Sequence, residues 1–221
     1  MKGYQYTQKI SLKKASEISK GAIQNASSLF DDAKLLFENG RYARAICLSV
    51  LSIEESGKPS IIRSIILEDD SKEIANLWKS FRRHQDKNSL WIVPELIMNG
   101  VKRLEEMRKV VDPKSDHPQV LDNLKQLCFY SDVFTKGKLS LPDEVATKDV
   151  ASELLAIANS NIKETFNSEK ALEIWVKHLK PVWKKQMIEM KNALMNCYQE
   201  LEDEGIIEGG TSSKMEEFLS L

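Results

Sequence analysis

Five side chains able to move protons or hold an anion fall in two short stretches: Glu54, Glu55 and Lys58, then His84 and Lys87. Glu54 and Glu55 close a largely apolar run, ARAICLSVLSI, where adjacent carboxylates are out of place because a buried charge is costly unless paired. A histidine held by a carboxylate, with lysines beside it, suits acid–base chemistry on a phosphodiester. His84 would move protons, Lys58 or Lys87 would stabilise the anionic transition state, and one glutamate would orient the imidazole. A structural ion network, in which Lys58 or Lys87 partners the buried carboxylates, accounts for the same residues equally well.

The elements that must position these groups are helical. From Ser11, Ala15, Ile18, Ala22, Ala26, Leu29, Ala33, Leu36 and Phe37 recur at three- and four-residue steps, and Asn39-Gly40 supplies the left-handed stop. A second helix from about Arg41 is apolar nearly all round, which puts it at the centre of a bundle. Pro59 lacks an N–H, so a kink or break is expected at Gly57–Pro59. Glu68-Asp69-Asp70-Ser71 reads as a turn with a helix cap, and a third helix carries Ile74, Leu77, Trp78 and Phe81 onward through Lys87. Glu55 to Asp69 spans about 21 Å of helix, and Ser71 to His84 about 20 Å, at a rise of roughly 1.5 Å per residue. An antiparallel hairpin therefore brings His84 level with Glu54 and Glu55, with Lys87 on the same face.

Beyond this hairpin, a helix is expected from Pro94, with Leu96, Ile97, Val101, Leu104 and Met107 as its apolar stripe. A loop covers 112–118, a shorter helix runs from Val120 to about Tyr130, and another loop covers 133–143. Helices over 144–166 and 168–203 close the domain, the latter bent or joined at Pro181. Residues 1–10 read as a flexible leader, 11–204 as a single all-α domain, and 205–221 as a flexible tail in which Met215–Leu219 can dock as a short helix. The fold class is an all-α, up-and-down bundle of about six to seven helices.

Composition narrows the function classes. A net charge of -1 over 221 residues gives no overall field for nucleic acid or anionic membrane. Lys102-Arg103, Arg108-Lys109 and Lys184-Lys185 read first as solvated faces, and second, with Arg82 and Arg83, as the candidates for a local RNA-facing patch. Cys47, Cys128 and Cys197 are too far apart for a metal or redox motif and read as buried small hydrophobes of a reducing compartment. No apolar leader and no spanning stretch occur, so the expectation is a cytoplasmic protein without membrane attachment. No helix carries the Glu-x-x-His signature of a di-iron bundle, and no phosphate-loop or zinc spacing is present, so neither cofactor nor metal is expected. His117 and His178 are expected to be exposed. Tyr130 and Asp132, two residues apart at a helix end, are read first as a packed ring whose hydroxyl finds a carboxylate, and second as accessory site residues with Lys125.

The combination Gly40-x-Tyr42-x-x-Ala45, Ser52-Ile53-Glu54-Glu55-x-Gly57-Lys58, His84-x-x-Lys87 and Lys125-x-x-x-x-Tyr130-x-Asp132 resembles the AbiV-type abortive infection family of the HEPN superfamily, over roughly residues 15–165. The resemblance implies a bacterial anti-phage or stress-response protein with an HEPN-like helical bundle that often dimerises. Many HEPN domains are metal-independent ribonucleases whose active motif is an arginine followed four to six residues later by a histidine. That spacing is absent here, since Arg108 and His117 are separated by eight residues.

Three functions follow as expectations. The first is an anti-phage effector that cleaves or targets RNA through the Glu/Lys/His cluster. The second is a non-catalytic module that senses a phage or host protein. The third is an enzyme acting on a nucleotide-like substrate.

Overall fold

The computed structural model describes residues 5–87, 116–134, 137–162 and 166–219. The helix expected from Pro94, the basic pairs at 102–103 and 108–109, and the loop residues 112–115 lie outside these. Two long helices, α1 (Leu12–Glu38) and α2 (Tyr42–Leu67), form the first hairpin. Ser11 caps α1 by accepting from Lys14 N–H, and Gly40 turns the corner at φ +70, where any side chain would be strained.

α2 is the spine. Ile46, Cys47, Val50 and Ile53 on its first half share a core with Leu121, Leu154 and Ile157, while Ile61, Ile62, Ile65 and Ile66 on its second half pack with Ile10, Trp78 and Leu172. Each such fully buried aliphatic contributes roughly 1.5–3 kcal/mol, so together they outweigh a several-kcal/mol penalty for a charge set among them. Glu54 to Lys58 occupies the gap between these two cores. The expected break at Pro59 does not occur: α2 stays helical through it, with the proline buried and Ser60 Oγ donating to the Gly57 carbonyl at 2.7 Å.

Asp70 caps α3 (Ser71–Arg82) by accepting from the N–H groups of Lys72 and Glu73. The third helix was expected to run on through Lys87, but it ends at Arg83, whose backbone is extended, and a separate turn, α4 (His84–Lys87), follows. Residues 5–10 lie along α3: Trp78 donates its indole N–H to the Gln8 carbonyl at 2.9 Å, and Ile10 is buried. Lys9 and Lys180 both reach Asp69 at the α2–α3 corner.

α5 (His117–Phe129) lies against α2 and α4. The segment expected as a loop over 133–143 contains a two-stranded antiparallel ribbon, β1 (Asp132–Phe134) and β2 (Lys138–Ser140), with Val133 opposite Leu139, and then one helical turn, α6 (Pro142–Val145). Strands of three residues carry no readable alternation, which is why the sequence gives no sign of them. α7 (Lys148–Asn161) packs on α2, and α8 (Glu169–Leu179) leads through a 3₁₀ turn at Lys180–Val182 into α9 (Met187–Asp203), so Pro181 marks a join. α10 (Thr211–Leu219) lies on α9, where Lys191 Nζ donates to the Leu219 carbonyl at 2.7 Å and Glu202 accepts from the N–H groups of Gly210 and Ser212. No helix among the described residues is long and apolar enough to cross a membrane.

Candidate functional site

Of the two adjacent carboxylates, Glu54 faces inward, with its side chain 2% exposed. Its Oε2 lies 2.6 Å from His84 Nδ1, and its Oε1 accepts from Lys125 Nζ at 2.6 Å. Lys87 Nζ stands 3.5 Å from Oε2, so one carboxylate gathers three partners from two other segments of the chain, α4 and α5. With an ionised carboxylate opposite, Nδ1 of His84 is the nitrogen that donates, and Nε2 is the one turned to no part of Glu54. The His84 side chain is 55% exposed, so the imidazole is the group open to solvent and the sealed group is the carboxylate behind it.

Burial works against ionisation of Glu54, but the hydrogen bonds from Lys125 and His84 and the charge of Lys87 outweigh it and hold the carboxyl below its ordinary range. Lys125 is likewise desolvated, yet Glu54 and Asp122 together raise its pKa. Lys87 goes the other way: burial is the largest influence, and the nearby Lys58 charge adds to it, so the ammonium is pulled below the lysine range despite Glu54 and Glu55. Lys125→Met should therefore let the Glu54 carboxyl rise toward its normal value and cost about 3 kcal/mol or more of stability. In a pH titration of the helical signal, acid unfolding of the variant should begin at higher pH than in wild type.

Glu55 and Lys58 form a neighbouring pair at 2.5 Å, each side chain less than one-fifth exposed, with the lysine 5.1 Å from the centre of the Phe81 ring. They border Lys87 but do not touch Glu54. Gly57, between them, is where α4 crosses α2: a Cβ here would lie 2.2 Å from the Lys87 carbonyl oxygen. The bare backbone lets α4 settle low enough for Lys87 and His84 to meet Glu54.

The accessory trio divides. Lys125 is the second direct partner of Glu54, whereas Tyr130 is 60% exposed with its ring against Phe129, and Asp132 accepts from the Val133 N–H at 2.7 Å. Tyr130 and Asp132 thus lie at the base of the ribbon rather than with the cluster. Arg82 donates to the carbonyls of Tyr6 and Trp78, at 2.5 and 2.8 Å, and so ties residues 5–10 to α3; Arg83 is the exposed member of the pair. His117, expected to be exposed, is buried at the start of α5, and His178 is partly buried with Nε2 2.7 Å from Glu200. Their sequence settings, a proline-flanked loop and a lysine-flanked helix, hid the covering elements.

Asp122 was missed. It meets Lys125 at 2.9 Å one helical turn away, and the i,i+3 spacing of acid and base was its only signal. The cysteines are buried and free, with burial pushing the Cys47 thiol up to about 12 and Cys128 up to about 11, so neither supplies a thiolate nucleophile. Among the described residues, no group of three or more His, Cys, Asp or Glu side chains is placed to hold a metal ion.

Comparison with known families gives one match: the HEPN_AbiV model, described as AbiV, covers residues 14–163. No curated protein and no solved structure matches the chain.

Proposed function

The chain belongs to the AbiV family of HEPN proteins, and on that premise we propose that this abortive-infection, anti-phage protein is an effector that cleaves RNA without a metal ion, through His84. The observation that carries this reading is an imidazole more than half exposed whose Nδ1 is fixed by a sealed carboxylate 2.6 Å away. That arrangement sets the tautomer and aims Nε2 outward, as a general base requires. Nε2 would take the proton of a ribose 2′-hydroxyl; the 2′-oxygen attacks the adjacent phosphorus, and the 5′-oxygen leaves with a proton returned from the imidazolium. The phosphate oxygens would be met by the exposed Arg83, next to His84 in the chain, and by the partly exposed Lys58, whereas Lys87 is buried and acts through Glu54. This route replaces the arginine–histidine motif usual in HEPN ribonucleases.

The test is cleavage of RNA by the purified protein in the presence of a chelator. His84→Ala should reduce cutting by about 10²–10⁴-fold while leaving the helical signal intact. Cutting by the folded variant at the wild-type rate would show that His84 is not the base.

A second reading is favoured by a different observation. Phe129, Tyr130, Val133, Phe134 and Leu139 are exposed together around the ribbon, as expected of a module that binds a phage or host protein. In that case the Glu54 cluster only ties helices together, and loss of function in Glu54 or His84 variants should track loss of stability. A variant that is fully stable yet inactive would count against it.

A further inference from the structure

On the face of α2 opposite Glu54 there is a small cleft that nothing above uses. Ser56, Pro59 and Arg63 fall about 140–200° round the helix from Glu54, at roughly 100° per residue. With Ile23 of α1, Asn161 at the end of α7, and Phe166 and Asn167 before α8, they line a cleft of about 150 Å³. That is about half the lower limit of ordinary cofactor and drug-sized pockets, roughly 300 Å³, so it has room for one compact group and not for a nucleoside.

The chemistry of the lining is specific. Among the described residues, no carboxylate lines the cleft and none forms an ion pair with Arg63. The guanidinium sits over two rings, 5.7 Å from the centre of Phe166 and 5.6 Å from that of Trp175, which holds its plane in place, and no carboxylate of the described residues meets its N–H edge. Burial pulls the guanidinium pKa down, and the opposing influence of the neighbouring Tyr198 does not offset it. Two carboxamides, Asn161 and Asn167, add possible N–H donors. The Ser56 hydroxyl already donates to the Ile53 carbonyl at 2.8 Å, so toward the cleft it offers only lone pairs, which suit a ligand bearing its own O–H.

We propose that this cleft binds a single phosphate group, held bidentate by Arg63 and flanked by Asn161, Asn167 and Ser56. A guanidinium fork matches two phosphate oxygens, the carboxamides donate to a third, and a protonated oxygen can donate to Ser56. An ionised carboxylate has no O–H to donate to the serine. The group is either free inorganic phosphate or the phosphate end of a nucleotide or RNA, and the site is separate from His84, with α2 lying between them.

Calorimetric titration and thermal unfolding of the full chain, at constant ionic strength, test this with sodium phosphate, sodium acetate and adenosine 5′-monophosphate as probes. Phosphate should bind saturably and raise the melting temperature, by mass action on the folded state. Acetate should do neither. Arg63→Met keeps the packing stem and should abolish binding; Arg63→Lys keeps the charge but loses the fork and should weaken it about tenfold or more. Asn161→Ala should weaken it severalfold, and His84→Ala should leave it unchanged, whatever happens to RNA cleavage. Tighter binding of the nucleotide than of phosphate assigns the site to a phosphate end, and the reverse assigns it to the free ion. The proposal is overturned if wild type shows no saturable binding, if acetate binds as well as phosphate, or if the folded Arg63 variants bind like wild type. Should Arg63→Met fail to fold, Arg63→Lys and Asn161→Ala decide the matter.

Discussion

Glu54→Gln is expected to lower the unfolding free energy by about 3–5 kcal/mol, the range for removing one partner of a buried ion pair. The amide keeps the shape but leaves the buried Lys87 without its facing carboxylate and Lys125 with Asp122 alone. Glu55→Gln supplies the contrast. Its pair with Lys58 lies nearer the rim, and roughly 1 kcal/mol or less is expected there. Denaturation in urea at neutral pH measures both, and equal losses would mean that Glu54 is not the hub.

The pH dependence follows from the same geometry. The folded-state pKa of Glu54 is depressed, so its contribution is fully present above the ordinary carboxylate range and is lost as pH falls through the depressed value. The folded pKa of Lys125 is raised, so its contribution holds below the usual lysine range and is lost only at more alkaline pH. Lys87 is depressed and opposes folding near neutrality, a penalty relieved as pH climbs past its folded value. Wild type should thus lose stability on the acid side more steeply than Glu54→Gln does, and the two curves should converge at low pH.

The second large effect is a glycine substitution whose sign reverses with position. In a helix interior, Gly→Ala ordinarily gains about 0.5–1 kcal/mol because alanine restricts the unfolded chain. Gly21 in α1 has open space around its missing Cβ, and Gly21→Ala should show that gain. At Gly57 the new carbon would lie 2.2 Å from the Lys87 carbonyl oxygen, a backbone atom with no flexible end to swing away. Overpacking of this kind costs about 1–3 kcal/mol, which exceeds the propensity gain. If α4 lifts off instead, His84 and Lys87 lose their register on Glu54, and RNA cleavage by the proposed route should fall with the stability. Thermal melts of the two variants should move in opposite directions; a stabilising Gly57→Ala would refute the close crossing of α2 and α4.

The meeting of Glu54 and His84 was legible because helical rise is fixed, so counting around one turn places residues thirty positions apart side by side. Pro59 misled only about continuity, since burial between two cores keeps α2 helical where propensity alone would end it. The break at Arg83 left no mark, as neither glycine nor proline occupies it, yet it re-aims His84 and Lys87 and makes Gly57 necessary. Lys125 stood out only through the family resemblance, which groups it with Tyr130 and Asp132, but those two residues go to the ribbon while the lysine turns inward. Which side of α5 faces α2 is a matter of packing, and so was Asp122. Arg63 was invisible for a related reason: a lone arginine on an apolar helix forms no pattern, and its aromatic neighbours come from beyond position 165.

The distances along the chain that separate Glu54 from its partners, 30 residues to His84 and 71 to Lys125, bear on the order of assembly. The α1–α2 hairpin closes across a three-residue corner, whereas the carboxylate waits for loops whose closure costs about 2–3 kcal/mol more. Contacts of such long range form late in folding. A nascent chain that has emerged only through α3 holds neither the imidazole nor either lysine that answers Glu54, so catalytic capacity, in the reading proposed above, arrives only with the finished domain.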